Sequence, residues 1–156
     1  MEFSLSLSEL LSTDRVRVPL RSHSKAELLR ELVLLAVGDA AETVVVGIVD
    51  AVEAREAQVS TALGGGLAVP HGRTDFVAEV HLAAGIVRGV PDYTGLDGSP
   101  VRVAFLVLTP MAASREHVKL LSCIAKLMHD PASREALLTS TSPDGFMSVI
   151  HSAEAA

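Results

Sequence analysis

Two apolar runs, Val80–Val87 and Val101–Leu108, constrain the fold more than any other feature of the chain. Both are strand-length, rich in β-branched residues and too poor in polar positions to alternate, as in strands covered on both faces. A sheet buried on both sides needs helices above and below it. The pattern therefore predicts an α/β fold of three layers, α/β/α, with a central mixed β-sheet sandwiched between helices. The 156 residues suit a single domain, residues 1–156, with its core expected over about residues 5–152. Aromatic residues are scarce, with four Phe, one Tyr and no Trp. Val, Leu, Ile and Ala must fill the interior.

Helical spacing supplies the outer layers. Ser24 followed by Glu27 has the form of a capping box, and Leu28, Leu29, Leu32 and Leu35 repeat at helical spacing over Lys25–Val37, with Gly38 as the stop. A second helix is expected over Glu42–Glu56, its apolar face running through Val44, Ile48 and Val52 to Arg55. A third is expected over Arg115–Met128 with Ser114 as N-cap. Asp130-Pro131 and Ser142-Pro143 each place a capping residue before a proline suited to a first helical position. Arg15–Leu20 reads as a short strand ended by Pro19, Leu67–Val69 as another stopped by Pro70, and Pro91–Pro100 as turns.

Charge narrows the functional classes. With 13 basic against 19 acidic side chains the net charge is -6, and no basic stripe is present, so nucleic-acid binding is not expected. Arg15, Arg17 and Arg21 read as a solvated edge. Met1–Leu11 lacks a basic leader followed by a long apolar region, and no apolar run has the length of a bilayer span. A cytoplasmic protein without direct membrane insertion is expected. Cys123, the sole cysteine, reads as a small buried hydrophobe rather than a nucleophile.

The segment Thr61–Arg73, TALGGGLAVPHGR, carries the chemistry. His71 lies between Pro70 and Gly72 at the expected end of a strand, where ligands gather in open α/β folds. Its neutral imidazole is a competent nucleophile near neutral pH. His117 falls in the first turn of the third helix, four, seven and eleven residues before Leu121, Ile124 and Met128. It therefore points inward beside the anion-attracting helix end. Phosphoryl transfer needs positioning and charge neutralisation more than covalent help. Two imidazoles, Arg55, the backbone N–H groups of Gly64, Gly65, Gly66 and Gly72, and the hydroxyls of Ser60 and Thr61 could together supply both. No Walker-type lysine motif is present, and no nucleophile elbow supports a Ser60–His71 pair. His71, Asp75, His81 and His117 can be written as a metal set, but their spacing matches no familiar signature. No cofactor is expected, and His23, His129 and His151 read as surface residues.

The ordered set of motifs resembles the fructose/mannitol-type IIA family of the sugar phosphotransferase system, which includes nitrogen-regulatory members. REAQVSTALGGGLAVPHGR, residues 55–73, matches that family's RE, ST, glycine-rich loop and PHG. The likeness continues through Asp97-Gly98, Pro100-Val101, Leu108-Thr109-Pro110 and the helix with His117, Leu120, Leu121, Ala125 and Leu127. It departs at Gly65, where the family often has asparagine. The resemblance implies that His71 is the phosphoryl acceptor, that His117 helps hold the phosphoryl group, and that Arg55 serves the site electrostatically. It implies that Ser60, Thr61, Gly64 and Gly66 shape the pocket. The implied donor is the phosphohistidine of HPr or its nitrogen-branch paralogue. The implied acceptor is a IIB domain, or in a regulatory member the output is a target protein; a degenerate member would keep the fold as a binding module that is not phosphorylated. Neither a second nucleophile-bearing domain nor membrane spans are in the chain, so a free-standing IIA is expected.

Overall fold

The computed structural model describes residues 6–155; residues 1–5 of the segment read as leaderless lie outside that range. In chain order the elements are α1 (Leu7–Leu10), a short 3-10 turn (Thr13–Arg15), β1 (Val16–Arg17), α2 (Lys25–Val37), α3 (Glu42–Gln58), β2 (Ala62–Gly64), β3 (Leu67–Ala68), β4 (His71–Arg73), β5 (His81–Ile86), β6 (Val103–Thr109), α4 (Ser114–His129), α5 (Pro131–Leu138) and α6 (Pro143–Ala155). The sheet order is β1-β5-β6-β3-β2, with β4 also paired to β6. β5 and β6 are antiparallel, while β1 joins β5, and β3 and β4 join β6, in parallel. The sheet is thus mixed, as expected.

The central strand shows why the apolar runs demand three layers. Ala104, Leu106 and Leu108 of β6 point into one core with Leu28, Leu32, Ile48 and Val52 of α2 and α3. Val103, Phe105 and Val107 point into the other, with Leu120, Ile124, Phe146 and Ile150 of α4 and α6. Successive strand residues alternate faces, so one continuous apolar run serves two cores. Every residue of β6 is buried. Across the second core the rings of Phe105 and Phe146 lie 5.7 Å apart between centroids.

Local chemistry fixes the helix boundaries. Ser24 accepts the Glu27 N–H at 3.2 Å, and its hydroxyl reaches the Glu27 carboxylate at 3.1 Å. Gly38 ends α2 with φ 63°, a left-handed conformation that glycine adopts without a Cβ clash. Asp130 and Ser142 cap α5 and α6 by accepting the N–H groups of Ser133 and Gly145. At α4 the expectation fails by one residue: Ala113 is the N-cap and Ser114 is already helical. The Ser114 hydroxyl instead accepts from Arg73.

Four other expectations are corrected. Pro19 does not end the first strand, which is only Val16–Arg17. Pro70 does not end the strand line beside β6: His71–Arg73 resume it as β4. β2, inside the glycine-rich segment, is a strand that apolar periodicity did not reveal. Of the three arginines Arg21 is exposed, as expected, but Arg15 and Arg17 are not simply a solvated edge. Arg15 donates to the Leu35 carbonyl, Arg17 pairs with Glu31 at 2.8 Å, and Glu31 also accepts the Arg21 N–H. His23, His129 and His151 are exposed, and Cys123 is half-buried.

Gly85, inside β5, allows β1 to approach. A Cβ there would lie 2.3 Å from the Arg17 carbonyl oxygen and 2.8 Å from Leu20. Gly85→Ala is expected to destabilise the protein by about 1–3 kcal/mol, read as a lower urea midpoint. An unchanged midpoint would mean that β1 shifts without cost.

Candidate functional site

β4 sets the position of His71. The pairs Leu67–Val103, Ala68–Ala104, His71–Val107, Gly72–Leu108 and Arg73–Thr109 share one register across Pro70. The chain therefore passes proline without slipping. Because β4 adjoins only β6, His71 sits at an open edge and is half-buried. Gly72 faces α3, where a Cβ would meet the Val52 side chain at 3.1 Å. This close approach brings the last turn of α3, with Arg55, toward the edge that carries His71.

The His71 Nδ1 lies 2.8 Å from the Val69 carbonyl oxygen. A carbonyl can only accept, so Nδ1 carries the proton and the neutral ring keeps its lone pair on Nε2. His117 enters from the first turn of α4, and the two ring centroids are 5.2 Å apart at an interplanar angle of 65°. The His117 Nδ1 is hydrogen-bonded to the Thr109 hydroxyl at 2.8 Å, and His117 is only 7% exposed.

Both rings are held neutral. Burial lowers the His71 pKa, and Arg55 lowers it further, against the Val69 hydrogen bond and the Glu56 charge, which raise it. Burial first, and then His71, Arg73 and Arg55, push His117 down to about 4. The edge thus presents two uncharged imidazoles in a positive surrounding, an arrangement suited to an anion.

The sequence matches the profile described as "Phosphoenolpyruvate-dependent sugar phosphotransferase system, EIIA 2" over residues 9–153. The chain belongs to this family. It is 27% identical over 147 residues to the fructose-specific EIIABC component of Bacillus subtilis, covering 94% of this chain but only 23% of that protein. It is also 29% identical over 151 residues to the nitrogen regulatory protein of Pseudomonas aeruginosa, covering 94% of this chain and 95% of that one. Among solved structures, the nitrogen regulatory protein IIA-Ntr of Neisseria meningitidis superposes with a TM-score of 0.82 at 29% identity, over 92% of this chain and 98% of that one. No helix among the described residues is long and apolar enough to cross a membrane.

In this EIIA chain the remaining candidates divide. Thr61 and Ser60 are close to His71 along the sheet: the Thr61 carbonyl accepts the Val69 N–H at 3.1 Å. The Thr61 hydroxyl donates to Glu56 at 2.6 Å, so its single proton is committed and it is not a free donor. Ser60 lies 3.3 Å from Glu56 and accepts the Ala62 N–H. Gly64, Gly65 and Gly66 are elsewhere. Gly66 accompanies the start of β6, five residues along the strand line from His71, a separation of about 16 Å. With φ of 92°, 63° and 84° they turn the β2–β3 hairpin, and Asp97 accepts the Gly65 N–H. They are not brought to His71. Of the residues considered as a metal set, Asp75 accepts the Met111 N–H and His81 pairs with Leu108.

Sequence reasoning missed Glu56 and Tyr93. The buried stripe of α3 runs Val45, Ile48, Val52, Glu56, so the carboxylate rather than Arg55 takes the innermost position. Glu56 accepts the Thr61 N–H at 2.7 Å and pairs with Lys25 at 3.3 Å. Burial raises its pKa, but the Thr61 hydrogen bonds and Lys25 outweigh this and leave it below 4.5. Since Thr61 donates to Glu56, the buried Tyr93 hydroxyl must donate to Thr61, at 2.6 Å. Lys25 also opens α2, where its backbone N–H donates to Asp92, the residue before Tyr93.

Two outcomes are expected. Glu56→Ala leaves the Thr61 N–H and Lys25 without their buried acceptor and should cost about 3–5 kcal/mol in denaturant unfolding, with Glu56→Gln losing less. For the histidines, a folded pKa below the unfolded 6.5 means that the unfolded chain binds more protons between the two values. Stability should therefore fall as pH drops from 6.5 toward about 4. His117→Gln should flatten the slope above pH 4.5, before the carboxylates titrate. An unchanged slope would show that His117 titrates normally.

Proposed function

We propose that this EIIA protein is a cytoplasmic phosphocarrier that accepts a phosphoryl group from phospho-HPr on His71 Nε2 and passes it to a IIB domain. The observation that carries the reading is the His71 Nδ1–H bond to the Val69 carbonyl, which leaves Nε2 as the nucleophilic nitrogen. In the transfer, the P–N bond to the donor histidine breaks as a P–N bond to His71 Nε2 forms in line. The donor nitrogen recovers its lone pair. His71 gains positive charge in that step, and the Val69 carbonyl and Glu56 carboxylate, both of which favour the charged ring, stabilise it. Arg55, whose charge acts on the His71 ring, offsets the negative charge that accumulates on the phosphoryl oxygens. With the Thr109 hydroxyl donating to Nδ1, His117 holds its proton on Nε2 and acts as a neutral donor to those oxygens. No metal ion or cofactor enters the step.

The likeness to nitrogen regulatory proteins, at 29% identity to both the Pseudomonas protein and the Neisseria structure, supports a second output of the same chemistry. In that reading phosphorylation of His71 adds roughly two negative charges to a shallow edge and changes which target protein docks there. Transfer of label to a IIB domain distinguishes the first output. A target retained only by the unphosphorylated form distinguishes the second.

Incubation with phosphoenolpyruvate, enzyme I and HPr should add one acid-labile phosphoryl group to the native chain and none to His71→Ala, by intact mass. His117→Ala should still load but transfer onward about 10²-fold or more slowly. Equal incorporation in the His71 variant would overturn the assignment.

A further inference from the structure

Arg73 is unaccounted for by the chemistry above. Strand alternation places it on the same side of β4 as His71, with Gly72 turned the other way toward Val52. Its Nη2 donates to the Met111 carbonyl oxygen and to the Ser114 hydroxyl, each at 2.5 Å. Asp75 holds the N–H of the same Met111 at 3.0 Å, so the loop leading into α4 is gripped on both sides. Among the described residues Arg73 makes no ion pair, and its Nε and Nη1 have no hydrogen-bond partner. An exposed arginine normally samples many conformers. Here one nitrogen is tied to the start of the helix that carries His117, which removes much of the entropy cost of using the others.

We propose that Arg73 is a second anion-binding arginine of the site, contacting the phosphoryl oxygens on His71 while its Nη2 stays anchored to Met111 and Ser114. The inference rests on the phosphocarrier reading. A phosphoryl group carries roughly two negative charges, and Arg55 supplies a single positive one from α3. Arg73 supplies the other from the opposite flank, beside His117, whose protonation its charge already opposes. The two guanidiniums bracket the edge on which His71 stands, one from each helical layer.

The test uses inorganic phosphate, titrated into the full chain while the His71 and His117 ring protons are followed by NMR. Native protein, R73K and R73Q are compared. R73Q keeps a side-chain donor for the Met111 carbonyl but removes the charge, and should bind phosphate about tenfold more weakly. R73K should remain within about threefold of native, because it retains the charge without the fork. The His117 titration should move up in R73Q and stay low in R73K, because the charge at position 73 opposes protonation of that ring, and the phosphate affinity separates anion binding from a merely structural role. Equal phosphate affinity in native and R73Q overturns the proposal, as does a native chain whose ring protons do not respond to phosphate. The enzyme I and HPr assay is a separate arm. A native chain that binds phosphate through Arg73 but never gains a phosphoryl group would overturn the carrier reading and leave the anion site standing.

Discussion

The pairing of β4 with the last half of β6 is the constraint on which the site depends. One strand positions both histidines: Val107 stands opposite His71, and Thr109, two residues further on, holds His117. β6 is buried along its whole length and faces both cores, so it is among the least mobile parts of the molecule. A reacting group mounted on an edge strand would ordinarily move with that edge. Here the edge strand is three residues long and in register with the most constrained strand of the fold. The distance between the two rings is consequently a property of the core rather than of a loop.

Around this frame the polar interior is directional. Tyr93 donates to Thr61, Thr61 donates to Glu56, and Glu56 faces Lys25, so every buried proton has one place to go. Lys25 also lies 4.5 Å above the Tyr93 ring. The chain joins the first turn of α2, the last turn of α3, β2 and the loop before β6 into one assembly. Its negative end is close enough to His71 to favour the charged ring. Structural support and electrostatic tuning are therefore supplied by the same carboxylate.

How far the sequence could be read follows from which signals were local. Helix α2 was visible in full because a capping serine, four leucines at helical spacing and a terminal glycine all agree, and β6 because an apolar run of that length has few alternatives. β4 was hidden by its own composition: Pro, His and Gly are turn formers, and only the register with β6 makes them a strand. Gly64–Gly66 looked like an anion cradle because positive φ serves cradles and hairpins equally well; distance along the strand separates the two. Glu56 was hidden because helical spacing from Val52 reaches residues 55 and 56 almost equally, and a charge is not expected to take the inner position. The family motif brought Arg55, His71 and His117 together, but not Arg73, whose relevance is a matter of strand side and helix start.

Gly72 influences the site through what it lacks. The Val52 side chain occupies the space where its Cβ would be, and Arg55 follows Val52 on the same helix by less than one turn. The absence of a single carbon atom thus lets α3, which carries Arg55, stand close to the strand that carries His71. At such separations Coulomb energy varies steeply with distance. A purely steric residue on the far face of a strand therefore works as the gain control of an electrostatic circuit, and its neighbours can retune that circuit without any change of charge.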